Sequence, residues 1–257
     1  MSNIIFTTSH KPDKFQIERA LDLSKKYKGI YKNRRHLSKF LNNEEIGYFI
    51  VNKDNTLNWV MGDNTFFYHP SISKVKMKNI ENENSKDYLH EAITPTEEDE
   101  ILDLTLGLGS EALFLANFCK EVTATEGSFP IYLVVKESLN YYNFKEKWMK
   151  DASEKIKIIN DNYKSFLRKQ KDNSFDIVYC DPMFENPNYL SSSLNSLRKM
   201  AIYDKINMED INHMLRTAKK KIVFKARKID KIWAELKFDD YLGSRNSDII
   251  FGVTYKK

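Results

Sequence analysis

Two hydrophobic periods take turns along this chain. Ile4–Thr7 alternates in the manner of a strand, and Asp13–Lys28 repeats as a helix with Ile17, Ala20 and Leu21 on one face. Gly47–Asn52, Thr56–Met61 and Asn64–Tyr68 are short runs rich in aromatic and β-branched residues, which predicts strands. Asn52-Lys53-Asp54-Asn55 supplies the turn between the first two. From Glu100 onward, strand and helix patterns alternate. Predicted strands lie at Glu100–Leu104, Glu121–Thr125, Lys155–Asn160, Phe175–Cys180 and Lys221–Lys225. Helical stripes run between them: Ala112, Leu115, Ala116 and Cys119; then Ile131, Val134, Val135, Ser138, Leu139 and Tyr142; then Tyr163–Gln170; then Met208, Ile211, Leu215 and Ala218. Phe238–Leu242 and Asp248–Tyr255 predict a closing antiparallel pair.

Repeated βα units predict a mostly parallel sheet covered by helices on both faces, with right-handed crossovers: a Rossmann-like, doubly wound α/β fold ending in an antiparallel hairpin. The acidic stretch 79–100, with Thr94-Pro95-Thr96 inside it and a short helix expected at Lys86–Ile93, is read as a linker. It divides a small α/β or α+β accessory domain, residues 1–78, from a larger domain, residues 79–257.

Composition narrows the classes. Hydrophobic residues make up 41% of the chain, enough for a core in each domain. No apolar run approaches the roughly 18–20 residues of a membrane span. The segment Met1–Phe6 lacks the basic start and apolar stretch of a signal peptide. With two cysteines, Cys119 and Cys180, and no paired-histidine motif, neither a disulfide framework nor a metal site is expected. These features predict a cytoplasmic protein without a membrane partner.

Three stretches carry candidate chemistry. In Asp103-Leu104-Thr105-Leu106-Gly107-Leu108-Gly109-Ser110-Glu111-Ala112 a strand passes through a glycine turn into a helix. Gly107 permits the tight turn and Gly109 a close approach of a ligand to the backbone. Glu126 follows the next strand, where a nucleotide-binding fold places the acid that takes the ribose hydroxyls. These two signals fit a dinucleotide or S-adenosylmethionine (SAM). Glu111, in the first helical turn, would repel a pyrophosphate and suit the cationic end of SAM. The third stretch is Tyr179-Cys180-Asp181-Pro182-Met183-Phe184, at the end of the fourth strand of the larger domain. A base amine is a poor nucleophile because its lone pair is delocalised into the ring. The Asp181 carboxylate and the Pro182 carbonyl can accept its protons, and Phe184 can stack on the base. Asn186-Pro187-Asn188-Tyr189 lies beyond the strand end and is read as loop.

In these stretches, together with Lys220–Lys225 and Ser247–Gly252, the chain resembles class I SAM-dependent methyltransferases. More narrowly, it resembles the ribosomal RNA small subunit methyltransferase J family, which methylates a guanine N2 of 16S rRNA. Thr7-Thr8-Ser9 and Phe66-Phe67-Tyr68-His69-Pro70 resemble instead a group of uncharacterised bacterial relatives. The resemblance implies SAM as cofactor, held at Asp103, Gly107, Gly109, Ser110, Glu111, Glu126 and Gly127. Asp161 and Asn162 would lie after the third strand, with Asp161 at the adenine, and Asp181 as the acid of the fourth. It implies transfer of a methyl group to an exocyclic base amine of RNA, without a metal. The alternatives are a tRNA or non-RNA amine substrate, and a non-catalytic RNA-binding or ribosome-assembly factor. The intact Gly107, Gly109, Glu126 and Asp181 argue against the last.

The chain departs from the family on the substrate side. Gly127 replaces a basic residue, Glu185 follows Phe184 where the family has proline, and the family's lysine–arginine pair becomes Lys225-Ala226, with Arg227 one place on. The net charge of +5 is unevenly spread. Residues 10–40 and 216–231 each carry an excess of seven positive charges, and the remainder is net acidic. Lys32, Arg34 and Arg35 in the first zone, and Lys225 and Arg227 in the second, are therefore the expected RNA phosphate contacts.

Overall fold

A computed structural model describes residues 4–41, 46–183 and 197–257. Their contacts form two compact units. The first takes in the described residues up to His69, with Leu133–Asn143 and residues 197–199, and the second takes in the rest. No single cut in the chain separates them.

The first unit is built on a five-stranded sheet of order β2-β1-β3-β4-β5. Strand β1 (Ile5–Thr8) pairs in parallel with β2 (Ile30–Tyr31) and β3 (Tyr48–Val51). Strands β3, β4 (Leu57–Met61) and β5 (Asn64–Phe67) form an antiparallel meander. Its core stacks Phe6 on Phe49 at 5.1 Å and sets Phe49 against Trp59 at 4.5 Å between ring centroids. Helix α1 (Lys14–Lys26) starts from a capping box between Asp13 and Gln16. Its buried face is Gln16, Ala20, Leu23 and Ser24, and Leu21 faces solvent. The expected Ile17–Ala20–Leu21 stripe is thus rotated. The cause is Gln16, whose amide is satisfied inside by Ser9 Oγ and the Val51 carbonyl, so a polar residue takes a core position.

The second unit holds a seven-stranded sheet of order β11-β12-β10-β9-β6-β7-β8. Strands β6 (Glu100–Asp103), β7 (Glu121–Thr125), β8 (Ile156–Ile159), β9 (Phe175–Cys180) and β10 (Ala218–Arg227) run parallel. The last strand, β12 (Ile249–Tyr255), runs antiparallel between β10 and β11 (Asp240–Leu242). The expected mostly parallel sheet with its closing hairpin is present. Strand order reverses at β6, whose neighbours are β7 and β9, and a ligand crevice belongs at the carboxyl ends beside such a switch point.

Helices α2 (Ser71–Glu81) and α3 (Tyr88–Ile93) precede the sheet. Helix α3 is the short helix expected within 79–100, and its Leu89, Ala92 and Ile93 are buried. Lys221 from β10 donates to the Ala92 carbonyl and to Thr94 Oγ1 at 2.9 and 2.6 Å. In chain order follow α4 (Ser110–Leu115), α5 (Phe129–Leu139), α6 (Lys147–Ser153), α7 (Tyr163–Lys169), α8 (Met208–Thr217) and α9 (Ile232–Glu235), of which α5 belongs to the first unit from Leu133 on. In α8 the buried residues are Asp210, Ile211, Met214 and Thr217; Met208 is exposed and Ala218 opens β10.

Gly252 of β12 shows how closely this core is filled. A Cβ there would lie 2.6 Å from Phe238 Cγ and 2.9 Å from Trp233 Cζ3, on rings that pack against Phe224. Gly252→Ala is expected to cost about 1–3 kcal/mol by overpacking. The measure is the midpoint of urea unfolding; an unshifted midpoint refutes the packing argument.

Among the described residues no helix is long and apolar enough to cross a membrane. Among the same residues, no group of three or more His, Cys, Asp or Glu side chains is placed to hold a metal ion.

Candidate active site

The carboxyl end of β6 turns over two glycines in the left-handed region, Gly107 at φ 50° and Gly109 at φ 70°. A side chain at either would strain against its own carbonyl. Gly109 caps α4, and its N–H donates to the Leu106 carbonyl at 2.7 Å. Glu126, just past β7, fastens the turn from the other side. Its Oε2 accepts the Gly107 N–H at 3.1 Å and its Oε1 the Ser128 N–H at 2.8 Å. Burial pushes the Glu126 carboxyl up to about 7 in spite of those N–H groups. Asp103, 1% exposed, accepts the Thr105 N–H at 2.9 Å. Burial first, then the charges of Glu111, Asp181 and Glu126, push its carboxyl up to about 7 as well.

Asp181 closes the same crevice from β9. Its backbone N–H donates to Thr105 Oγ1 at 2.7 Å, tying the ends of β9 and β6 together. Its Oδ2 accepts from Lys225 Nζ at 2.5 Å. Lys225 also donates to Glu111 Oε1 at 2.9 Å. The other Glu111 oxygen accepts the Tyr179 hydroxyl at 2.5 Å, and Lys76 of α2 stands 3.6 Å from Oε1. A chain of alternating charge thus runs Lys76–Glu111–Lys225–Asp181. The lysines hold the Glu111 carboxyl down near 2 against its burial. Burial raises the Asp181 carboxyl to about 6, Lys225 opposing and Glu111 adding to the rise.

Around Gly127 the wall is tight. A Cβ on it would meet Ile202 Cδ1 at 2.6 Å and Asn162 Cα at 3.6 Å. Asn162 caps α7 by accepting the Lys164 N–H, and its amide donates to Asp204 Oδ2 at 2.6 Å. Asp161 pairs with Lys169 at 2.8 Å. Ser110 is buried, its carbonyl accepts from Ser73 Oγ, and its own hydroxyl has no partner among the described residues.

The second unit therefore gathers Asp103, Gly107, Gly109, Ser110, Glu111 and Asp181 at the ends of β6 and β9, and Glu126, Gly127, Asp161 and Asn162 beyond β7 and β8. Pro182 follows Asp181; Phe184 lies outside the described residues. Lys225, expected among phosphate contacts, is engaged inside the crevice. Arg227 pairs with Asp248 at 3.0 Å. Most of the 216–231 basic zone is committed likewise: Lys220 to Asp99, Arg216 to Asp172, Lys219 to Asp176 and Lys221 to α3. Lys32, Arg34 and Arg35 belong to the first unit, where Lys32 Nζ lies 3.6 Å over the Phe40 ring and Arg35 is exposed. Sequence reasoning missed Lys76, Thr105, Tyr179, Ile202 and Asp204. Thr105 and Tyr179 sat inside motifs already singled out; nothing in the spacing pointed to Lys76 or Ile202.

A family model described as "Putative SAM-dependent methyltransferase" matches residues 60–247. The uncharacterized protein YpiP of Bacillus subtilis is 27% identical over 242 residues, 92% of each chain. The ribosomal RNA small subunit methyltransferase J of Coxiella burnetii is 33% identical over 129 residues, which spans about half of either chain, 49% of each. A solved structure of a SAM-dependent methyltransferase from Neisseria gonorrhoeae superposes with a TM-score of 0.66 at 16% identity, covering 98% of this chain and 96% of that one.

Proposed function

Because the chain belongs to the SAM-dependent methyltransferase family, with SAM as its cofactor, we propose that it methylates an exocyclic amine of an RNA base, guanine N2 of ribosomal RNA. The observation that carries this reading is Asp181-Pro182 at the end of β9, tied by Thr105 to the glycine turn of β6.

The residues present fit the cofactor. Glu126 offers a half-buried carboxylate for the ribose hydroxyls, and Ser110 a buried hydroxyl with no partner among the described residues. SAM, when bound, supplies an electrophilic methyl group on a sulfonium centre. The protein's own part is positioning and electrostatics. The Asp181 carboxylate and the Pro182 carbonyl accept the amine protons, which offsets the positive charge developing on nitrogen. Glu111, whose charge is already balanced by Lys225 and Lys76, takes a smaller share in holding the cofactor's cationic end than its helix position suggests. A base within a duplex would be flipped out to reach Asp181, at a cost of a few kcal/mol.

In this reading the second unit, Lys76 of α2 included, carries the transfer and the first unit binds RNA. With much of the 216–231 zone paired to carboxylates, Lys32, Arg34 and Arg35 become the main phosphate contacts and Arg227 a lesser one. The protein would work in the cytoplasm. That same pairing favours a second reading, in which the substrate is a tRNA or non-RNA amine.

Mass spectrometry of nucleosides from 16S rRNA and tRNA, in cells with and without the gene, separates the readings. The expected result is loss of an N2-methylguanosine from 16S rRNA alone. A loss confined to tRNA, or an unchanged RNA profile, overturns the ribosomal assignment.

A further inference from the structure

Lys225 has two carboxylate oxygens within 2.9 Å, on Glu111 and Asp181, and only 16% of its side chain is exposed. To reach a phosphate it would have to leave both largely buried acids unpaired, which is costly. Its direction is also fixed. Strand β10 pairs in parallel with β9, Phe224 lying opposite Cys180, so the next residue on each strand is Lys225 and Asp181. Glu111 is held in turn by the Tyr179 hydroxyl on one oxygen and by Lys76 near the other.

We propose that Lys225 is a positioning residue of the methyl transfer: its ammonium, shared between Glu111 and Asp181, keeps the Asp181 carboxylate ionised and aimed at the substrate amine. The inference rests on the reading that Asp181 accepts the amine's protons. Glu111 sets the strength of the effect. With Lys225 wholly its own, Asp181 would be a neutralised, weak acceptor; with no lysine it would be protonated, and could not accept. Sharing the ammonium leaves it between these limits.

Among the described residues, the groups facing Asp181 come from several elements. Lys225 comes from β10, Glu111 from α4, Asp103 and Thr105 from β6 and its turn, and Tyr179 and Cys180 from β9. Lys76 of α2 acts across Glu111. Among these, Lys225 and Lys76 favour the ionised carboxylate, and burial and Glu111 oppose it. Two substitutions must therefore move Asp181 in opposite directions. Lys225→Met removes the nearest favourable charge and raises its titration midpoint by about 1–3 pH units, the usual effect of a contacting opposite charge. Glu111→Gln removes the competing carboxylate and lowers the midpoint. Lys225→Arg keeps the charge and holds the midpoint near that of the wild type.

The experiment is a carboxyl NMR titration of the full-length protein carrying 13C-labelled aspartate, Asp181 being assigned by its loss in Asp181→Asn. It is paired with the acid limb of the pH–rate profile for methyl transfer from SAM. The expected result is an acid limb that rises in Lys225→Met, falls in Glu111→Gln and stays in place in Lys225→Arg, tracking the NMR midpoint. At pH 7, Lys225→Met then loses about twofold to about ninetyfold in rate, according to the size of the rise, and the loss shrinks as pH rises. If Lys225→Met does not fold, Glu111→Gln and Lys225→Arg still decide the matter. An active wild type whose acid limb is the same in every folded variant overturns the role of Lys225. A wild type that methylates no base amine, with the NMR midpoints moving as described, overturns the substrate reading instead and leaves the electrostatic arrangement standing.

Discussion

Asp181→Ala is expected to lower the turnover of methyl transfer by about a hundred- to a thousandfold, the range for removing one fixed polar group aimed at a reacting centre. SAM binding should stay close to that of the wild type. The separation follows from what each part of Asp181 does. Its backbone N–H, which ties β9 to Thr105 of the β6 turn, survives the substitution. Its side chain bonds Lys225, and none of its hydrogen bonds is to the glycine turn or to Glu126. Lys225 keeps Glu111 as a partner, so the substitution leaves no bare charge behind. Asp181→Asn makes a sharper version. The shape is retained, but one carboxylate oxygen becomes an N–H₂ donor that faces either the Lys225 ammonium or the substrate amine and suits neither. Calorimetry with SAM and transfer of a labelled methyl group to RNA provide the two readouts. Full turnover in both variants would remove Asp181 from the mechanism, and loss of SAM binding would make it a cofactor residue instead.

How much of this could be read along the chain depended on the distance over which each signal acts. Strands β7 and β9 fall where the sequence put them, because a strand buried on both faces is a short, near-continuous apolar or β-branched run. The glycine turn and Glu126 were legible because a single βα unit carries them, and the structure joins them by one hydrogen bond, Gly107 N–H to Glu126. In stretch 79–100 the short helix expected at Lys86–Ile93 is present as α3, Tyr88–Ile93, and its three apolar residues, Leu89, Ala92 and Ile93, are the ones that pack. Helix α2 escaped notice because its lysines, Lys74, Lys76 and Lys78, interrupt the apolar period, and one of them turns inward to Asp87 and Glu111.

Charge was the least legible quantity. Counting along residues 216–231 gave a basic strip, but β10 lies between β9 and β12, and its lysines meet acids brought from far away in sequence. Lys220 meets Asp99, and Lys225 meets Glu111 and Asp181. Net charge in a linear window describes a solvated helix far better than a central strand. The Lys76–Glu111–Lys225–Asp181 chain draws on α2, α4, β10 and the end of β9, so no local spacing could announce it.

Glu126→Gln is expected to weaken SAM binding by about ten- to a hundredfold, the equivalent of one or more hydrogen bonds to a charged acceptor at about 1.5–3 kcal/mol each. Part of the loss comes from the turn: the Gly107 and Ser128 N–H groups each hold one carboxylate oxygen, and the amide can accept only one of them. The rest comes from charge, and it carries a pH signature of fixed sign. In the free protein burial holds the Glu126 carboxyl at about 7. Hydroxyl donors on the ribose favour the ionised form and so lower that value in the complex. The free protein then holds more protons than the complex below pH 7, and binding must release them. Affinity therefore rises with pH up to about 7, by at most tenfold per pH unit for one group, and levels off above it. Asp103, also near 7, adds to proton release only if the ligand touches it. Calorimetric titration with SAM at pH 6 and pH 8, in two buffers of different ionisation enthalpy, counts the protons. The wild type should release protons at pH 6 and nearly none at pH 8. In Glu126→Gln the Glu126 share disappears together with the pH dependence of affinity. Proton-neutral binding by the wild type at both pH values would mean that Glu126 does no more than brace the glycine turn.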